Sequence, residues 1–450
     1  MTIAEHEYET SASAGDDKVR HPITDEPLVV ISADCHAGGD IADYKPYLEG
    51  KWYEEFDEWA NAFSDPWDDL ERELEVENAK VGVASAHEEV NWNSSLRQQA
   101  LEADGVVAEV VFPNTVPPFF PSGVISVGPP KNREEYDRRW AGLRAHNRWL
   151  REFCEETPGR RAGVAQILLN NPEDAVREVQ WIKEAGLTGG ILLPADHTAG
   201  QTVALYYPRY DPIWETCAEL DVPVHRHSSL SGDVSSDENG TAASAVTLFE
   251  SPFFSHRGLA HMIFAGVFER YPKLKYVLTE SGAGWAPAHL AQLDAMYESA
   301  KWSGTVINKF AGDAVSSLPK RPSEYFAENC WLGASQITKT EVALRDRIGV
   351  DRIMWGSDFP HAEGTYPFSR EALGIAFEGV AEADLRGMLG KHAAQVYGFD
   401  YTELSELAKT IGPTIPDISA ARERRPSYPK RTVCSVFADT GNVLFEQSDE

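Results

Sequence analysis

Residues Leu28 to Asp40 read LVVISADCHAGGD. A buried-looking run of apolar and β-branched residues ends in Asp34-Cys35-His36 and then glycines. Such a run bounded by turn residues is a strand signal. Side chains two apart on a strand share a face, so Asp34 and His36 project together and Cys35 points the other way. A carboxylate and an imidazole converging at a strand end suit a divalent metal. The plainer alternative is that Asp34 caps a turn and His36 is incidental.

Seven further runs of the same kind follow: Val106–Phe112, Gly163–Leu169, Gly189–Leu193, Val222–His227, Lys275–Glu280, Cys330–Gly333 and Arg352–Asp358. Amphipathic stretches lie between them. NPEDAVREVQWIKEAG opens on an Asn-Pro start signal and stops at Gly186, and DPIWETCAELD precedes the fifth run. Short buried strands alternating with helices predict a parallel sheet. Eight units predict an α/β fold, a distorted (β/α)8 TIM barrel over residues 27–400, whose active-site residues sit at the C-terminal ends of the strands. Two long insertions, near 41–97 and 113–130, follow the first strands and fit lids or substrate walls. Residues 1–26 read as a disordered acidic leader, and 401–450 as a C-terminal tail that wraps the barrel or meets another subunit.

The chain has 450 residues and a formal net charge of -30. That charge repels nucleic acid and anionic lipid, which need basic patches. No apolar run has membrane-spanning length, and the leader lacks the apolar segment of a signal peptide. Five scattered cysteines with no CxxC pair fit a reducing compartment. The expectation is a soluble, cytoplasmic protein that acts on a small molecule and binds neither nucleic acid nor membrane.

The fifth run, PVHRH, places His225 and His227 on one face. The eighth run ends in Ser357-Asp358, followed by Phe359-Pro360-His361-Ala362-Glu363. Asp34, His36, His225 and Asp358 make two imidazoles and two carboxylates, a set that suits Zn, Mn or Fe(II).

The ordered pieces ISADCHAGG, PVHRH, GVFERYPKLKYVLTESGAGWAP, RIMWGSDFPHAEGTYP and HAAQVYGFD resemble the amidohydrolase superfamily. Within it they resemble the branch of the aminocarboxymuconate-semialdehyde decarboxylase relatives. The resemblance implies a distorted TIM barrel with metal at its C-terminal mouth. It makes Asp34 and His36 the strand-one ligands and His225 the strand-five ligand. Asp358 becomes a ligand that also handles the proton of bound water. Decarboxylase relatives carry a His at the end of strand six, where this chain has Glu280. Glu280 is therefore a candidate general base or a ligand to a second ion. Strand four, GGILLPADH, offers no Lys to bridge two metals, so one or two ions per chain (Zn, Fe or Mn) remain open. His227 and His361 are candidates for metal binding, oxyanion stabilisation or substrate orientation, with Glu363 close behind as a solvated loop charge.

The candidate residues suit three activities. The first is hydrolysis of an amide, ester or thioester by metal-activated water, with Asp358 accepting the proton. The second is metal-dependent non-oxidative decarboxylation, and the third a barrel with a purely structural metal. Phe112, Phe119 and Phe120, with a second cluster at Phe249, Phe253 and Phe254, suggest a partly apolar substrate. The resemblance also implies a homodimer or higher homo-oligomer.

Overall fold

A computed structural model describes residues 24–63, 89–121, 127–195, 204–228, 240–426 and 434–438. Most of the expected leader, the centre of the first insertion and the end of the tail lie outside the described residues, as does His197, the histidine that closes GGILLPADH.

Eight parallel strands run in sequential order around a nearly closed barrel. They are β1 (Ile31–Ala37), β2 (Ala108–Pro113), β3 (Arg161–Gln166), β4 (Gly190–Leu192), β5 (Val224–His227), β6 (Tyr276–Thr279), β7 (Cys330–Ser335) and β8 (Ile353–Gly356). Each overlaps one predicted run, and helices lie between them as a parallel sheet requires. The helix Pro172–Glu184 starts where Asn171-Pro172 predicts it. The Asn171 side chain accepts from the Glu173 amide, and Pro172 fills a first-turn position that needs no N–H.

β1 lies three residues later than the predicted run Leu28–Asp34, so Asp34 and His36 fall inside the strand, which is buried throughout. Its register on β2 shifts between Ser32 and Cys35. The barrel closes beyond the regular ladder, where Asp358 N donates to Asp34 O (2.9 Å) and His36 N to Phe359 O (2.6 Å). The seam between the first and last strands therefore lies among the residues singled out from the sequence.

The barrel interior holds Ile31, Ala33, Val110, Phe112, Val164, Leu192, Val277 and Met354 in one apolar cluster. The helices His392–Tyr397 and Tyr401–Ile411 add Tyr397, Leu404 and Ala408 to it. Leu28 N donates to Pro413 O at 2.8 Å, tying the start of the barrel to the segment after the second helix. Part of the expected tail thus packs on the strands. The two insertions meet as well: Phe119 packs on Trp52, Phe56 and Trp59, and Trp59 Nε1 donates to Phe120 O at 3.2 Å.

Candidate metal centre

Four strand ends supply the polar groups at the C-terminal mouth. β1 supplies Asp34 and His36, β5 supplies His227, and Glu280 and Asp358 follow β6 and β8. Glu280 and Asp358 have φ of +50° and +61°, left-handed values uncommon for side-chain-bearing residues. Regular strand geometry would carry each side chain on along the ladder. The left-handed turn redirects it, and such strain gathers at functional sites.

The geometry is convergent. His36 Nε2 lies 3.4 Å from Asp34 Oδ1 and 3.3 Å from Asp358 Oδ1. His227 Nε2 lies 3.6 Å from Asp34 Oδ1 and 3.1 Å from Glu280 Oε2. Asp34, His36, His227 and Glu280 can present one ligand atom each within 4.8 Å of one another, and so can His36, Asp358 and His361. Asp34 Oδ1, His36 Nε2, His227 Nε2, Asp358 Oδ1 and His361 Nδ1 are buried and make no hydrogen bond. Buried polar atoms are normally satisfied, so five such atoms in two donor groups that share His36 mark a place built for something else.

The far side of each imidazole is held. His36 Nδ1 lies 3.2 Å from Pro113 O, and His227 Nδ1 lies 3.0 Å from Ser228 O. A carbonyl only accepts, so both rings carry hydrogen on Nδ1 and present Nε2 inward. His361 has the opposite arrangement, with Nε2 at 3.1 Å from Asn114 Oδ1 and Nδ1 inward, 2.9 Å from Asp358 Oδ1. Its ring stacks on His36 with centroids 4.0 Å apart. Metal-binding histidines are oriented by such outer contacts. The donor set fits a divalent ion, and its mixture of imidazole and carboxylate suits Mn, Fe(II) or Zn.

Charge balance points the same way. Burial alone would raise the Asp34 carboxyl, but His36 and His227 beside it hold it well below the usual range. Burial alone would lower the imidazoles. The adjacent carboxylates instead raise His36 to about 10 and His227 to about 9, with Asp34 foremost for His36 and Glu280 for His227. Burial pushes Glu280 up to about 8 against the pull of His227. These acids demand positive charge, which protons or a cation can supply.

His36 is braced from behind. Arg97 Nη1 donates to His36 O at 2.9 Å, and its guanidinium also bonds Glu109, with the closest contact at 2.6 Å. Arg161 Nε reaches the other Glu109 oxygen at 3.1 Å. All three side chains are buried.

His225 is not brought to this cluster. Two residues along a strand correspond to about 6.6 Å, so it lies one layer deeper than His227. Its register partners are Leu192 and Val277, whereas His227 pairs with Thr279 beside Glu280. His225 Nε2 sits 2.8 Å from Gly189 O, its ring stacks on Tyr397, and burial depresses it to about 3. The strand-five group in the cluster is His227, in place of the expected His225. Glu363 is exposed and can meet Glu280 and Asp358 in a third donor group. Phe112 lies under His36 and His227, while Phe119 and Phe120 pack among the insertions and helices. Phe249 and Phe253 are exposed, and the Phe254 side chain lies outside the described residues. Asn114, Ser335 and Gln336, which no sequence signal singles out, touch His361, Asp34 and Asp358 from outside.

The amidohydrolase family model matches residues 112–399, well over half of the chain. The chain belongs to the amidohydrolase family. Among curated relatives, the gamma-resorcylate decarboxylase of Polaromonas sp. (strain JS666) is 29% identical over 230 residues, 48% of this chain and 65% of that protein. The match therefore spans just under two thirds of that relative's length. The 2-amino-3-carboxymuconate-6-semialdehyde decarboxylase of Dictyostelium discoideum is 23% identical, covering 69% of this chain and 77% of that one. A solved 5-carboxyvanillate decarboxylase of Novosphingobium aromaticivorans, with bound manganese and 3-methoxy-4-hydroxy-5-nitrobenzoic acid, superposes with a TM-score of 0.59. It is 18% identical, and the match covers 82% of this chain and 97% of that one. That likeness is one of fold. The expected hydrolysis of an amide, ester or thioester is corrected by these relatives, which are decarboxylases. Among the described residues no helix is long and apolar enough to cross a membrane.

Proposed function

We propose that this amidohydrolase-family protein is a metal-dependent non-oxidative decarboxylase of a small, partly apolar carboxylic acid. The observation that carries the proposal is the cluster Asp34, His36, His227 and Glu280, with Asp358 beside it, in a family member whose matched relatives are decarboxylases. Manganese is the favoured ion, since a relative of the same fold is solved with it.

Asp34, His36, His227 and Asp358 would hold the ion. Bound there, a divalent cation supplies Lewis-acid polarisation of substrate oxygens and charge for the developing electron pair. The reaction breaks the bond between carbon and the carboxylate. CO2 leaves, the electron pair stays on carbon, and a proton arrives there. We assign that proton to Glu280. Its side chain is 27% exposed at the mouth, against 19% for His361, and burial raises its carboxyl to about 8 in the metal-free chain. Phe112 packs against the His36 and His227 rings and gives the cluster an apolar floor.

The test is CO2 release from manganese-loaded protein given a panel of hydroxybenzoic acids, beside matched phenyl esters and anilides. CO2 with no ester or amide cleavage supports the assignment. Ester or amide cleavage without CO2 overturns it. Glu280→Gln should lower turnover about 100-fold or more, the usual worth of a general acid, while manganese content stays near that of the parent. Homodimerisation, implied by the family resemblance, is supported by exposed Trp302, Val306 and Phe310. Light scattering checks it.

A further inference from the structure

We propose that Ser335 and Gln336, consecutive residues at the end of β7, are positioning residues that make each of the two cluster aspartates offer a single oxygen to the metal. The proposal rests on the metal site assigned above and adds to it what orients the carboxylates.

The two contacts are parallel. Ser335 Oγ donates to Asp34 Oδ2, and Gln336 Nε2 donates to Asp358 Oδ2 at 2.8 Å. In both aspartates the second oxygen, Oδ1, is buried and makes no hydrogen bond. One oxygen of each carboxylate is thus tied down and the other faces the imidazoles, with Asp34 Oδ1 3.4 Å from His36 Nε2, and Asp358 Oδ1 3.3 Å from His36 Nε2 and 2.9 Å from His361 Nδ1. Asp34 and Asp358 side chains are fully buried, out of reach of bulk water. Both donors are neutral. A Lys or Arg in either place would satisfy the same oxygen but would also cancel charge that the cation needs.

The backbone is committed to this arrangement. Gln336 has φ of +52°, a left-handed value outside the ordinary range for glutamine. Gln336 N donates to Gly356 O at 3.1 Å, and Ser335 pairs with Gly356 in the β7–β8 register. A Cβ on Gly356 would stand 2.8 Å from Asp34 Cβ and 3.2 Å from Ser335 Oγ. Only glycine at that position lets Asp34 and Ser335 approach across β8. Two left-handed residues from adjacent strands, Gln336 and Asp358, therefore meet in one hydrogen bond. Strain of this kind persists where the surroundings over-determine it.

The test uses the full chain, stripped with a chelator and titrated with Mn2+, free ion being read by electron paramagnetic resonance. Parent protein is compared with Gln336→Met, Ser335→Ala and Ser335→Thr, and thermal unfolding of each is measured without metal. Gln336→Met keeps length and loses the donor. Ser335→Thr keeps the hydroxyl. The expected result is manganese binding weakened about 10–100-fold in Gln336→Met and Ser335→Ala, the usual cost of removing an outer contact, with unfolding of the metal-free proteins unchanged. Ser335→Thr should return to within roughly threefold of the parent. Parent-like binding in Gln336→Met and Ser335→Ala overturns the proposal. So does weakened binding that is matched by lower metal-free unfolding temperatures, since that marks a structural role. Should Ser335→Ala fail to fold, Gln336→Met decides alone. If the parent itself takes up no manganese, the metal site falls, a result distinct from parent and variants binding alike.

Discussion

His225 and His227 differ by one turn of the strand pleat and by almost everything else. Both face the barrel interior and both are buried. His227 keeps Nε2 unbonded beside two carboxylates, while His225 spends Nε2 on Gly189 O and leaves Nδ1 unbonded outside the converging donor groups. His227→Ala should therefore cost most of the bound manganese and nearly all turnover, with modest loss of stability. His225→Ala should do the reverse. It leaves a cavity and an unpaired carbonyl, an expected loss of about 2–4 kcal/mol in stability, with manganese per folded chain close to the parent value. Elemental analysis and urea unfolding on the two variants check the contrast. Equal metal loss in both would make His225 a ligand. The sequence could name the face but not the layer. Alternation with period two tells which side chains point inward. It does not tell how far the strand rises relative to its neighbours, and that register decides which histidine reaches the mouth. Asp34, His36, Asp358, His361 and Glu280 were legible because each sits in the last residues of a strand or just beyond. Ser335 and Gln336 carried no signal, since a Ser and a Gln at a strand end are ordinary.

At the scale of elements, the eight strands were legible because each is a short buried run closed by turn residues. Their exact ends were not, because pairing across the ladder sets them. β1 shows this, displaced towards the mouth so that its last residues meet the segment after β8. What holds that end is a buried ion triad. Glu109 on β2 bonds Arg97 from the helix Ser94–Asp104 and Arg161 from β3, and Arg97 in turn bonds His36 O. No pattern in the sequence links these three positions, which lie on separate elements. Removing the shared anion strands two buried guanidiniums, so Glu109→Gln should destabilise the fold by about 3–5 kcal/mol. It should also loosen His36 and lower manganese affinity beyond what a surface carboxylate would. Denaturant unfolding with and without manganese measures both. A loss under about 1 kcal/mol would mean that the triad is solvated and does not brace the site.

At the scale of the whole molecule, the site stores opposing protonation preferences, and these fix how stability responds to pH. In metal-free protein His36 and His227 are raised to about 10 and about 9, and Glu280 to about 8. A group raised on folding stabilises the fold below its unfolded value and loses that contribution as pH climbs through its folded value. For Glu280 the loss runs from about 4.5 to 8, and for the two imidazoles from about 6.5 to 9 or 10. His225 and His146, both depressed by burial to about 3, act oppositely. Their contribution is present above about 6.5 and is lost as pH falls towards 3. Metal-free protein should thus be most stable near pH 6 to 7 and should melt at progressively lower temperature from pH 7 to 10. Manganese needs Nε2 of His36 and His227 bare, so binding expels protons and strengthens as pH rises. The gain in melting temperature on adding manganese should therefore grow between pH 7 and 9. Differential scanning calorimetry of chelated and manganese-loaded protein across that range measures both trends. A flat metal-free profile together with a pH-independent manganese gain would mean that His36 and His227 do not exchange protons for metal, and the centre would have to be built from other donors.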